Sequence, residues 1–201
     1  MIGIFLAGEG RNELGSWSGD EGYQSDAEPG VVKALLEKIR GDGWQIVGAI
    51  QWKNIHKLRS GFHGKAEERN VLGAVLKAQE KGAHVAAFVR DRDGYEQRQR
   101  DIDAGILGAQ SILPHVIGGM AVEKLESWIV AILGGSASET MRRPEDYLAE
   151  RGIGEKNTAG MVSAVASADM GRIPEDAASL RLWLLRARET CDAVSSGASS
   201  S

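Results

Sequence analysis

A single cysteine, Cys191, stands in a chain of 201 residues. It excludes an internal disulfide and leaves no set of thiolates for a zinc site. The four histidines, His56, His63, His84 and His115, show no metal-ligand spacing, so zinc has no motif to use. No apolar run approaches the roughly 18 residues that a membrane-spanning helix requires. The opening Met1-Ile2-Gly3-Ile4-Phe5-Leu6 lacks the basic start of a secretory signal and reads as a first strand, so a soluble, cytoplasmic chain is expected. Positive charge is also short: 24 Lys and Arg against 28 Asp and Glu leave a net charge of −4. The whole molecule is therefore no general binder of polyanions, and a nucleic-acid contact would have to come from a local basic patch. Two nucleotide motifs are missing as well. No Walker lysine loop is present, and Gly8-x-Gly10 lacks the third glycine of a dinucleotide fingerprint. Glu13 stands there, and with Glu9 it would repel a pyrophosphate.

What remains is an ordinary globular balance, 42% hydrophobic and 26% charged, in a chain sized for one core and a modest appendage. Short, almost wholly apolar runs at Ile2–Ala7, Ile46–Ile50, Val85–Val89 and Val116–Ala121 suit strands buried on both faces. Between the first two, Val32, Leu35, Leu36 and Ile39 make a helical stripe. Leu72, Val75, Leu76 and Gln79 make a second one, after a polar Lys65–Arg69 turn. The alternation predicts an α/β fold: a Rossmann-like, mostly parallel four-stranded sheet flanked by helices. After Val122 the pattern turns helical, at Glu123–Leu133, Pro144–Glu150, Thr158–Ala168 and Ala177–Thr190. The expected division is an α/β domain over 1–133, a helical C-terminal cap over 134–192 hinged at Gly134-Gly135-Ser136, and a flexible tail over 193–201.

Two acidic clusters follow strands directly: Gly8-Glu9-Gly10-Arg11-Asn12-Glu13 after the first and Arg90-Asp91-Arg92-Asp93-Gly94 after the third. In an open α/β sheet, ligands collect outside the carboxyl ends of the strands, near the point where strand order reverses, so the two clusters are expected to meet. Carboxylate oxygens suit Mg2+ or Mn2+. The alternative for each cluster alone is a solvated turn.

Ala7-Gly8-Glu9-Gly10-Arg11-Asn12-Glu13 followed by a strand-terminal Asp91-Arg92-Asp93 resembles the TOPRIM domain of topoisomerases, bacterial primases and OLD-family nucleases. Among these, the small stand-alone bacterial forms related to the OLD nucleases are the nearest in pattern. Val122-Glu123-Lys124-Leu125-Glu126-Ser127-Trp128 is similar to a helix start in that group. The resemblance covers about residues 1–133. It implies a Mg2+-dependent nuclease in which Glu9 serves acid–base chemistry or metal binding. It further implies that Asp91 and Asp93 hold the metal, that Glu13 is a further ligand and that a separate ATPase is a partner. The Gly15–Gly30 stretch, rich in Gly, Ser and acids, is long for a strand-to-helix loop and suits a mobile lid or a partner-binding loop.

Glu126 falls on the apolar face made by Val122, Leu125, Ile129 and Leu133, where an isolated charge is costly, so it is a further candidate ligand. An acid at a helix start is the other explanation, and Glu123 fits it better. The local basic patch is Lys53, His56, Lys57, Arg59, His63 and Lys65, interleaved with Trp52 and Phe62 and free of acids from Gln51 to Ala66. Lys53, Lys57, Arg59 and Lys65 are thereby candidate contacts to DNA or RNA, with an aromatic for stacking; a solvated loop is the alternative. Arg98 and Arg100 can orient a phosphate or simply face solvent. Two other functions stay open: a nucleotide-sugar transferase using Asp91-x-Asp93, and an interaction module that keeps the acids without turnover.

Overall fold

The computed structural model describes residues 1–18, 28–41, 43–57, 63–154 and 156–198. Four strands, β1 (Ile2–Gly8), β2 (Trp44–Gln51), β3 (Val85–Asp91) and β4 (Val116–Ala121), form one parallel sheet in the order β2-β1-β3-β4. Every residue of β1 is buried, and the side chains alternate between two cores. Ile4 and Leu6 point to one face, Phe5 and Ala7 to the other. The same division holds in β3, with Val85, Ala87 and Val89 against Ala86 and Phe88. Burial on both faces is why these strands are apolar without interruption.

The helices are α1 (Arg11–Leu14), α2 (Val31–Arg40), α3 (Ala66–Glu80), α4 (Arg98–Ala109), α5 (Leu125–Ile132), α6 (Pro144–Ala149), α7 (Thr158–Ser167) and α8 (Ala178–Ala198). Residues of α3 and α4 fill the core on one face, and residues of α2, α5, α7 and α8 fill the other. The result is an α/β fold of Rossmann-like type in three layers. Among the described residues, no helix is long and apolar enough to cross a membrane.

The C-terminal helices share the core of the sheet. Trp183 of α8 and Trp128 of α5 are fully buried with ring centroids 6.0 Å apart, and Trp183 Nε1 donates to the Phe88 carbonyl of β3 at 3.0 Å. Truncating either indole to Ala would cost about 3–5 kcal/mol.

Three differences from the sequence reading have a visible physical cause. The polar Lys65–Arg69 stretch is the start of α3, where the Lys65 N–H donates to Glu68 Oε2 at 3.1 Å; this side-chain half of a capping box accounts for an acid in the first turn. Helix α5 begins at Leu125, because Glu123 takes a left-handed φ of 67° and ion-pairs with Arg92. Helix α8 runs past Thr190 to Ala198, so residues 193–198 are helical where a flexible tail was expected. Buried Cys191 and partly buried Val194 hold that stretch on the core, and the Ser195 and Ser196 hydroxyls bond back to the carbonyls of Cys191 and Asp192.

Candidate functional site

Because β2 lies on one side of β1 and β3 on the other, the chain reverses direction across the sheet between β1 and β3. Their carboxyl ends flank the switch point at which open α/β sheets bind ligands. A cleft of about 480 Å³ opens there, lined by Glu9, Gly10, Arg11, Asn12, Glu13, Asp91, Glu126, Lys156 and Thr158. Glu9, Glu13, Asp91 and Glu126 are thus brought together as the sequence suggested.

Each carboxylate is held by a different element. Glu13 is 6% exposed and accepts from the Gly10 N–H at 2.8 Å, the side-chain half of a capping box on α1. Asp91 ends β3 and accepts from the Leu125 N–H, the first of α5, at 2.9 Å. Glu126, 7% exposed, sits in the first turn of α5 and accepts from Asn12 Nδ2 at 3.3 Å. The helix-start acid is therefore Glu126, and Glu123 precedes the helix.

The electrostatics follow from this crowding. Burial raises the Glu13 carboxyl above its ordinary value against the pull of backbone N–H groups, and the charge of Glu126 adds to the rise. Asp91 is pushed up to about 7, first by burial, then by Glu13, Glu126 and Asp93. The Leu125 N–H offsets only part of that.

Glu9 and Asp93 face arginines. Glu9 Oε1 ion-pairs with Arg90 and accepts from the Asp91 N–H at 3.1 Å. Asp93, at φ 49°, pairs its carboxylate with Arg98 at 3.0 Å and Arg90 at 3.5 Å and is not among the residues that line the cleft. Behind them Glu67 receives Arg98 at 3.0 Å and Arg90 at 3.5 Å, and Trp52 Nε1 donates to it at 2.8 Å.

The donor chemistry of Glu13, Asp91 and Glu126 fits a hard divalent cation, since buried carboxylates that repel one another gain most from one. Their spacing is not closed: among the described residues no group of three or more His, Cys, Asp or Glu side chains is arranged to hold a metal ion. Arginines pair with Glu9 and Asp93.

The basic segment begins at the end of β2, on the same edge of the sheet. Lys53 and Lys65 are exposed there; the Lys57 side chain and Arg59 lie outside the described residues. Trp52 is no stacking platform, being 5% exposed with its ring 5.3 Å from that of Phe88. It is an apolar core residue with one polar handle. Phe62 is outside the described residues, as are 19–27 of the expected lid. The bases of that segment are joined. Ser16 N–H donates to the Glu28 carbonyl at 3.0 Å, and Gly15 and Gly30 pack so closely that a Cβ on Gly30 would lie 2.2 Å from the Glu13 carbonyl oxygen.

Arg90, Glu67, Lys156 and Thr158 did not stand out in the sequence as parts of the site. The available signal for Thr158 was a doubled capping pair, Asn157-Thr158, where a helix start needs one such residue. The chain has no significant match among family models, curated proteins or solved structures.

Proposed function

We propose that this chain is a Mg2+- or Mn2+-dependent nuclease of TOPRIM type, cleaving phosphodiester bonds in DNA or RNA. One observation carries the reading: Glu13, Asp91 and Glu126 crowd a cleft at the switch point of a parallel sheet, with Asp91 pushed up to about 7. Carboxylates gathered in a cleft at a ligand-binding position of the sheet, one of them shifted this far, support a cation site there.

Glu13, Asp91 and Glu126 would be the ligands, with Glu9 at the rim of the cleft and Asp93 joining them if released from Arg98. A divalent ion held there would supply a water of lowered pKa and neutralise charge on the phosphate. Glu9 would orient an attacking water or accept a proton. Lys156 and Arg11, on the cleft wall, are placed to hold phosphate oxygens. Lys53 and Lys65 would track the nucleic-acid backbone along the same edge. The TOPRIM resemblance adds a partner ATPase to this reading.

The transferase alternative weakens, because it needs both carboxylates of Asp91-x-Asp93 on one ion and only Asp91 lines the cleft. The non-catalytic module draws support from the open spacing of the acids.

The test is a cleavage screen with Mg2+ and Mn2+ over single- and double-stranded DNA and RNA, using Asp91→Asn as control. Metal-dependent cleavage that disappears in Asp91→Asn supports the nuclease. Metal binding without cleavage of any substrate would move the assignment to the interaction module. If neither metal binds, the site reading fails.

A further inference from the structure

One wall of the cleft comes from the C-terminal helices. Thr158, the first residue of α7, donates its hydroxyl to Asn12 Oδ1 at 2.9 Å, and Asn12 Nδ2 donates to Glu126 Oε1 at 3.3 Å. We infer that Thr158 and Asn12 are positioning residues through which the C-terminal helices fix the Glu126 carboxylate and thereby set the affinity of the cleft for a divalent cation. This inference rests on the metal reading proposed above.

The helix itself does not need the Thr158 hydroxyl. Asn157 caps α7, its Oδ1 accepting from the Gly160 N–H at 2.9 Å. Thr158 is 7% exposed, so its hydroxyl must find a partner within the protein. The direction of the relay is fixed by chemistry. An ionised carboxylate can only accept, so Asn12 must turn its NH2 to Glu126 and its carbonyl to Thr158. The reverse orientation would set oxygen against oxygen.

Rigidity also flows from the C-terminal side. Asn12 belongs to α1, only four residues long and flanked by Gly10 and Gly15. Helix α7 is anchored by Met161 and Val165, both fully buried in the core it shares with α2 and α5. A partner one bond removed from a ligand, as Asn12 is from Glu126, typically changes metal affinity by about 10–100-fold when lost, and Thr158, two bonds removed, acts at the lower end of that range.

The experiment is a Mn2+ titration of wild type, Thr158→Val, Thr158→Ser and Asp91→Asn, each with a melting curve recorded without added metal. Thr158→Val keeps the shape and removes the hydroxyl; Thr158→Ser keeps the hydroxyl. We expect Thr158→Val to bind Mn2+ about ten-fold more weakly and Thr158→Ser to bind as wild type does. A merely structural Thr158 would lower the melting temperature and leave affinity alone. Wild-type affinity in Thr158→Val beside impaired Asp91→Asn overturns this role and leaves the metal reading standing. Mn2+ binding that Asp91→Asn does not change overturns the metal reading and this role with it. A denaturation cycle pairing Thr158→Val with Glu126→Gln tests the relay without metal: coupled effects are expected, and additive ones overturn it.

Discussion

The Asp91 carboxylate accepts the first N–H of helix α5, from Leu125, at 2.9 Å. The last residue of β3 therefore fixes the start of the helix that carries Glu126, one position further on. Arg98 also donates to the Asp91 carbonyl, so the strand end is gripped from both sides. A strand terminus and a helix terminus far apart in sequence become one rigid corner of the cleft.

That corner should titrate. Asp91 sits at about 7 in the folded chain against an ordinary 3.8, so between these values the folded state holds a proton that the unfolded state has released. Stability from this group is then present below about pH 4 and is lost as pH rises to 7. The stability difference between wild type and Asp91→Asn should fall across that window and stay flat above it. Asn retains an acceptor for the Leu125 N–H, which isolates the charge. Unfolding midpoints of both proteins from pH 4 to 8 check this, and a difference independent of pH would count against it.

Glu126→Gln should separate ligand from helix-start acid. As a ligand, its loss weakens Mn2+ binding and leaves or raises stability without added metal, since one repelling charge has gone. As a helix-start acid alone, affinity stays and stability falls by about 0.3–1 kcal/mol. Metal titration beside melting curves decides between them.

Glu67 holds two arginines and an indole in a pocket where its side chain is 9% exposed. Glu67→Ala leaves Arg90 and Arg98 facing each other with one anion fewer and should cost on the order of 3–5 kcal/mol. Glu67→Gln, which keeps the Trp52 bond, should cost less. Denaturant midpoints of the two variants provide the comparison; equal and small losses would show that the network does not contribute to folding.

Lys53 and Lys65 lie on the same sheet edge as the acids. If they contact phosphates, replacing both with Ala should weaken nucleic-acid binding and lower the slope of log affinity against log salt by roughly 0.7–0.9 for each lost contact. Fluorescence anisotropy at several salt concentrations reads that slope. An unaltered slope returns the segment to a solvated loop.

Strands β1, β3 and β4 were legible because a doubly buried parallel strand has no polar face to confuse the pattern. Glu9 and Asp91 were legible because strand ends at a switch point are predictable from element order alone. Asp93 was less so: two residues past the strand, its carboxylate goes to whichever partner the turn offers, here Arg98 of the next helix. Trp52 misled because an aromatic among lysines looks like a stacking surface, whereas burial against Phe88 depends on contacts remote in sequence. Thr158 was out of reach for the same reason, its partner Asn12 lying 146 positions away.

The joined bases of the Gly15–Gly30 segment have a consequence for length. Gly15 at φ 64° and Gly30 meet backbone to backbone, and the exposed Arg11–Glu28 pair at 2.7 Å closes the same neck. Closing a chain across a fixed neck costs entropy that grows only as the logarithm of its length, about 0.6 kcal/mol for each doubling. Length added between Ser18 and Glu28 should therefore have little effect on the placement of Glu13. The neck itself allows no such freedom: Trp17 is buried in the core, and a methyl group on Gly30 would strike the Glu13 carbonyl and cost on the order of 3 kcal/mol. Variation in this protein should accumulate beyond Ser18 and stop at Trp17 and the two glycines.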